Sequence, residues 1–290
     1  MEETSPTEAK DDADWRHPHA DEIDELSAQI DAHAGARRTM LLNDLVRTFD
    51  AWARFSQTLG GILQNCETNA GTTAAAMRSG GDQKQRASII TPLDQAIIAY
   101  AAGIGAVVDQ TRNALKLQSA SLREAEAHHR NALIDPIPGA AFLTKLRNYV
   151  LHYLAAPWGF RFRLNDDNLT GEVLLEPTAL LKFDGWTSPA REFIQLQSDG
   201  IQLSKLLQPF LTALGDHTTW ILEKCANENA PLLDEVNGII AKKNLLLTGG
   251  VTDGSDWEAR MAHTVENLER IRKGEPQTDF RTGEPIHRDQ

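Results

Sequence analysis

Phe142–Tyr153 reads FLTKLRNYVLHY, and the spacing of its apolar residues decides the fold class. Phe142, Leu143, Leu146, Tyr149, Val150, Tyr153 and Leu154 fall at i, i+1, i+4, i+7, i+8, i+11 and i+12. That spacing makes one stripe along an α-helix, whereas a strand with its period of two would scatter it over both faces. Off the stripe stand Arg147, Asn148 and His152, a guanidinium, an amide and an imidazole that the packing of the helix does not need. At about 100° per residue Asn148 and His152 are neighbours on one flank, while Arg147 lies roughly 140° round from His152.

On the N-terminal side, Asp135-Pro136-Ile137-Pro138-Gly139 reads as a stop. The helix before it should open at Thr91-Pro92, with Thr as N-cap and Pro in the first turn, and run to about Arg130, with a bend near Gly103–Gly105. Residues 67–88 lack periodicity and carry Gly, Thr, Asn and Ser, which reads as a long loop. Arg38–Cys66 has a persistent stripe (Leu45, Phe49, Trp52, Leu59) and reads as helix, although Gly60-Gly61 weakens it as a single rod. Asp21–His33 can start a helix, and residues 1–20 are acidic, polar and expected to be disordered.

On the C-terminal side, Pro157 and Gly159 should end the motif helix. The alternating runs Phe160–Leu164 and Glu172–Leu175 flank Asn165-Asp166-Asp167-Asn168 and read as a β-hairpin, which is marginal alone and should pack on the helices. Short helices over 177–197, a long one over Ile201–Asn227, further helices over Leu232–Leu246 and Trp257–Arg272, and a polar tail over 274–290 complete the chain. The fold class is mainly α, a helical bundle with a small β-hairpin insertion. Its expected divisions are an acidic tail (1–20), an N-terminal helical segment (21–68), a linker (69–90), the bundle (91–246, hairpin near 160–176) and a C-terminal helix with its tail (247–290).

With 290 residues, 41% hydrophobic and 24% charged, the chain can bury a substantial core. Cys66 and Cys225 lie far apart, outside any metal-binding spacing, and are expected to be free, buried thiols. The N-terminus has no apolar core of a signal peptide, and the longest apolar run, Ala96–Val108, is too short to span a bilayer. A cytoplasmic protein with no membrane association is therefore expected. The net charge of −12 is unevenly placed. Residues 1–26 hold ten acids and two bases, a net of −8, whereas residues 112–163 hold eight bases and three acids, a net of +5. The FLTKLRNYVLHY stretch lies in the most basic part of the chain, as a phosphate-handling site requires, and a solvated helix face would give the same count.

Arg147-Asn148-Tyr149-Val150-Leu151-His152 resembles the Arg-Asn-x-x-x-His form of the motif of the HEPN superfamily, over a region of about residues 91–226. The resemblance implies a small helical bundle and a metal-independent endoribonuclease used as a toxin or in phage defence, with no cofactor. It implies that RNA is the partner, that an antitoxin or defence protein accompanies it, and that the chain forms a homodimer in which two motif helices share one cleft. His152 would be the general acid or base, Arg147 would hold the scissile phosphate, and Asn148 would orient His152 or contact the RNA. Lys145 and Tyr153 would supply a second phosphate contact and a stacking surface. Leu151, opposite the apolar stripe, is an apolar residue left for a second packing surface.

Plainer readings stand beside this one. Arg147 can serve a surface ion pair, Asn148 can be an exposed amide, and His152 a half-buried imidazole. Arg123 and His128 share the Arg–His spacing without the Asn. His128-His129 near Glu124 and Glu126 reads as a solvated helix face, because adjacent histidines on a helix diverge by about 100°. Asp216-His217 reads as a structural polar interruption of a buried helix. The competing function is a non-catalytic helical scaffold that binds a partner through the acidic tail and the Arg38–Cys66 helix. Gly249–Gly254 lacks the Lys-Ser/Thr ending of a phosphate-binding loop, and no Gly-x-Ser-x-Gly elbow or dinucleotide fingerprint occurs.

Overall fold

The apolar stripes become helices along almost the whole chain. The computed structural model describes residues 19–78, 82–153, 155–165, 168–248, 257–280 and 282–285. The acidic tail expected over 1–20 falls almost wholly outside them, as do Leu154, the tip of the hairpin and most of the 247–254 loop. In chain order come α1 (Ala20–Ala32), α2 (Ala34–Thr68), α3 (Ala70–Arg78), α4 (Gln83–Lys116), α5 (Ala120–Leu133) and α6 (Ala140–His152). The strands β1 (Trp158–Asn165) and β2 (Asn168–Leu175) follow, then α7 (Pro177–Leu180), α8 (Ser188–Gln195), α9 (Ser204–Glu228), α10 (Ala230–Thr248) and α11 (Trp257–Arg272). The fold is mainly α with one antiparallel hairpin, in the register Phe160 opposite Val173 and Phe162 opposite Gly171. Two compact units divide it, Arg38–Ala230 and a second made of Met1–Arg37 with Pro231–Gln290.

Four expectations need correction. The 69–90 segment, read as a linker, is helical in α3 and again from Gln83, because Asp82 caps α4 by accepting from Lys84 N (2.9 Å) and Gln85 N (3.3 Å). Pro92 therefore lies inside α4 rather than opening it. The cost of an interior proline, about 3 kcal/mol, is offset by burial of Ile89, Leu93 and Ile97 on both sides of it. The helix expected to reach Arg130 breaks at Leu117–Ser119. There Ser119 caps α5, while Glu228 accepts from its backbone N–H (2.7 Å) and its hydroxyl (2.8 Å). The motif helix, expected to end at Pro157 and Gly159, ends at His152. In the polar tail, Thr278 N–H donates to Asn267 Oδ1 (2.9 Å), which ties its described part to α11. As a whole, α4 is long and apolar enough to cross a membrane by length and composition, whereas the sequence reading counts only Ala96–Val108. It is also the central helix of the larger unit, with Tyr100, Ile104 and Val107 buried.

The core of that unit joins α2, α4, α6 and α9. Trp52 meets Tyr100 (5.7 Å between ring centroids) and Phe210 (6.0 Å), while Phe142 and Tyr149 meet Trp186 (5.4 and 5.8 Å). The hairpin is fastened to the helices at two places. Glu67 Oε1 accepts from Val173 N (3.3 Å), Gln202 Nε2 (3.0 Å) and Ser204 Oγ (3.0 Å), and the Trp158 indole donates to Asp94 (2.8 Å). Cys66 and Cys225 are free and buried, and burial with nearby Glu228 pushes the Cys225 thiol up to about 11.

The Tyr100 hydroxyl is fully buried and has no hydrogen-bond partner among the described residues. Leaving such a group unpaired costs about 1–3 kcal/mol. Tyr100→Phe should therefore raise the free energy of unfolding in urea by about 1 kcal/mol, whereas a loss of stability would reveal a partner for the hydroxyl.

Candidate functional site

Helix α6 carries every residue of the motif. Its start is set by Gly139, at φ +79°, where the tight turn admits no side chain: a Cβ there would meet the Phe193 ring at 2.9 Å. Phe142, Leu143, Leu146 and Tyr149 bury the predicted stripe, and Val150 is half-buried. Tyr153 leaves helical geometry at φ −125°, so His152 is the last helical residue.

Arg147 turns towards α4. Its guanidinium lies over Gly105, where a Cβ would come within 2.6 to 2.8 Å of three Arg147 side-chain atoms. Nη1 reaches Asp109 Oδ2 at 3.8 Å, a long ion pair, and the same carboxylate takes Arg112 at 3.2 Å. Arg147 Nε is buried without an acceptor among the described residues, although the side chain as a whole is 40% exposed. Asn148 is half-buried and His152 exposed, and among the described residues no hydrogen bond joins the two. The expected orienting bond from Asn148 is thus not made within one chain. Tyr153, 45% exposed, donates from its hydroxyl to the Lys182 carbonyl (3.3 Å) and rests its ring on Phe183 (5.1 Å). Phe183 covers part of the ring expected to stack on a base.

Five positions apart on one helix, Arg147 and His152 diverge as the helical period dictates, one on to α4 and the other into solvent at the last turn. Lys145 faces elsewhere. It lines a cavity of about 520 Å³ between α4, α5, α6 and α9 whose lining does not include Arg147, Asn148 or His152.

Beside that cavity the fold builds a polar chain that the sequence reading leaves apart. His217, 3% exposed, places Nε2 3.1 Å from Glu126 Oε1 and Nδ1 2.9 Å from His129 Nδ1. Since an ionised carboxylate only accepts, His217 donates through Nε2, its Nδ1 accepts, and His129 donates through Nδ1. The His129 ring stacks on Trp220 at 4.4 Å. Arg130 adds a longer contact to Glu126 (3.7 Å). His128, by contrast, is exposed, so one histidine of the pair is solvated and the other is built into the fold. The available signal was Glu126 and His129 three apart on one helix face, but their partner lies 88 positions further along the chain.

Burial lowers the His129 pKa, the neighbouring His217 lowers it further, and Glu126 opposes both. A second proton on the pair would also set two Nδ1–H groups against each other. A histidine with a depressed folded pKa binds fewer protons folded than unfolded, so its contribution is intact above about pH 6.5 and is lost as the pH falls through the folded value. The thermal midpoint should drop on acidification below about pH 6.5, and His129→Gln should flatten that dependence. Equal slopes for the two proteins would remove His129 from the account.

Compared with family models, with curated proteins and with solved structures, the chain matches none of them.

Proposed function

We propose that the chain is a metal-independent endoribonuclease of the HEPN kind, acting as a symmetric homodimer in a toxin or phage-defence setting. The observation that carries this reading is the state of His152: exposed at the end of α6, with no side-chain partner among the described residues, and five positions from a half-exposed guanidinium. An imidazole kept free of structural duty is available for proton transfer near neutral pH. His152 takes the proton of an RNA 2′-hydroxyl as that oxygen attacks phosphorus. The P–O5′ bond breaks, and the leaving 5′-oxygen takes up a proton. Arg147 holds the non-bridging phosphate oxygens through a planar fork of donors.

Because the two groups diverge on one helix, the reading pairs His152 of one subunit with Arg147 of the other across a two-fold axis. Half-buried Leu151 lies on the free side of α6 as an apolar contact for that pairing. Arg147 must then exchange its long contact with Asp109 for a phosphate. Lys145, which lines a separate cavity, has no assigned phosphate in this arrangement. A scaffold role is the second reading, favoured by the packing of Arg147 over Gly105 and towards Asp109, which gives the guanidinium a structural use.

Expression of wild type against His152→Ala, scored for growth arrest and for cleavage of labelled RNA by the purified proteins, separates the two. Cleavage by wild type alone supports the nuclease; two inert, harmless proteins support the scaffold.

A further inference from the structure

The cavity between α4, α5, α6 and α9 lies apart from Arg147, Asn148 and His152, and its walls combine apolar side chains with a few charged ones. Ile104, Val107, Leu115, Ile134 and Leu214 make it mainly aliphatic, with the Phe210 ring and the His217 imidazole also in its lining. Its volume, about 520 Å³, is that of a small-molecule pocket. The charged groups around it balance except at one point. Arg130 is shared by Glu126 (3.7 Å) and Asp135 (3.8 Å), and Arg112 is held by Asp109 (3.2 Å). Glu126 also takes His217. Lys145, half-buried on α6, is the lining cation with no anionic partner among the described residues.

An aliphatic chamber with one uncommitted ammonium is complementary to an aliphatic chain ending in one negative charge. The lysine stem lies along apolar surface while its charged end remains free to meet the head group. Two of the polar groups of the walls are already committed: the Thr144 hydroxyl donates to the Ala140 carbonyl (2.9 Å), and both ring nitrogens of His217 are in hydrogen bonds.

We infer that this cavity binds a medium-chain fatty acid, with the acyl chain among the aliphatic side chains of α4, α6 and α9 and the carboxylate on Lys145. The inference uses none of Arg147, Asn148 or His152 and stands whether or not the chain cleaves RNA.

The test is calorimetric titration of the full chain with dodecanoate and with dodecanol, both below their aggregation concentrations. Dodecanoate should bind one to one, and dodecanol roughly tenfold or more weaker, because it lacks the charge-assisted contact. Lys145→Met keeps the stem and removes the charge, so dodecanoate should weaken by about the same factor while dodecanol is unaffected. Unchanged dodecanol binding also shows that this variant is folded. Val108→Trp, which projects bulk from the wall, should abolish both. Absence of dodecanoate binding, equal affinity for acid and alcohol, or dodecanoate binding indifferent to both substitutions would overturn the inference.

Discussion

Alanine at His152 is expected to lower RNA cleavage by roughly 10²- to 10⁴-fold, the usual worth of a positioned acid or base, with folding untouched. The second half of this expectation follows from the structure. His152 is exposed, terminates α6, and makes no side-chain contact whose loss would be felt among the described residues. Surface substitutions of that kind stay within about 0.5 kcal/mol. Arg147 is a less clean target, since Arg147→Ala also empties the space over Gly105 and releases Asp109. Arg147→Lys is the sharper variant: it keeps the charge and loses the fork, so cleavage should fall while the electrostatic partner of Asp109 persists. Cleavage rates should be read beside the thermal midpoint of each variant. A loss of cleavage that tracks a falling midpoint would assign the residue to folding instead of chemistry.

Trp52→Ala is expected to destabilise the larger unit by about 3–5 kcal/mol, the largest stability effect anticipated for a single change. Trp52 is fully buried and its ring meets Phe49, Tyr100 and Phe210 at 5.7, 5.7 and 6.0 Å. Truncation opens a cavity where α2, α4 and α9 come together, and helices cannot collapse far to fill it. One effect works the other way. The indole Nε1 is buried without a partner among the described residues, so its removal returns about 1 kcal/mol. Against a total stability of roughly 5–15 kcal/mol, the remaining loss is enough to unfold a marginal domain at growth temperature. Urea denaturation measures it, and a loss under about 1 kcal/mol would show that the aromatic cluster is not where the unit is held together.

Much of the architecture was legible because it rests on local periodicity. The stripe from Phe142 to Val150 gave α6 and its start to within two residues, though not its end at His152, and the alternation on either side of Asn165–Asn168 gave the hairpin. The misreadings have separate causes. Residues 70–78 have weak helical character alone, and are held by Thr73, whose hydroxyl donates to the Cys66 carbonyl (2.9 Å) across the turn from α2. Pro92 was taken as a helix start because its ring favours that position, yet the apolar face runs on through it. The break before α5 depends on Glu228, over a hundred residues away. Of these, the break before α5 was decided by a contact between segments distant in the chain, whereas α3 rests on a contact seven residues away and Pro92 on the face of its own helix.

The candidate site divides in the same way. Which residues share a helix, and that Arg147 and His152 must diverge on it, follow from the 3.6-residue repeat and nothing else. That Arg147 packs over Gly105, that Lys145 lines a mainly aliphatic cavity and that His129 meets His217 at hydrogen-bond distance are facts of tertiary packing. They depend on which helix faces which, and no local pattern encodes a pairing across 88 positions. A side chain's place on its helix is a local property, but its partner is chosen by the close packing of the whole core.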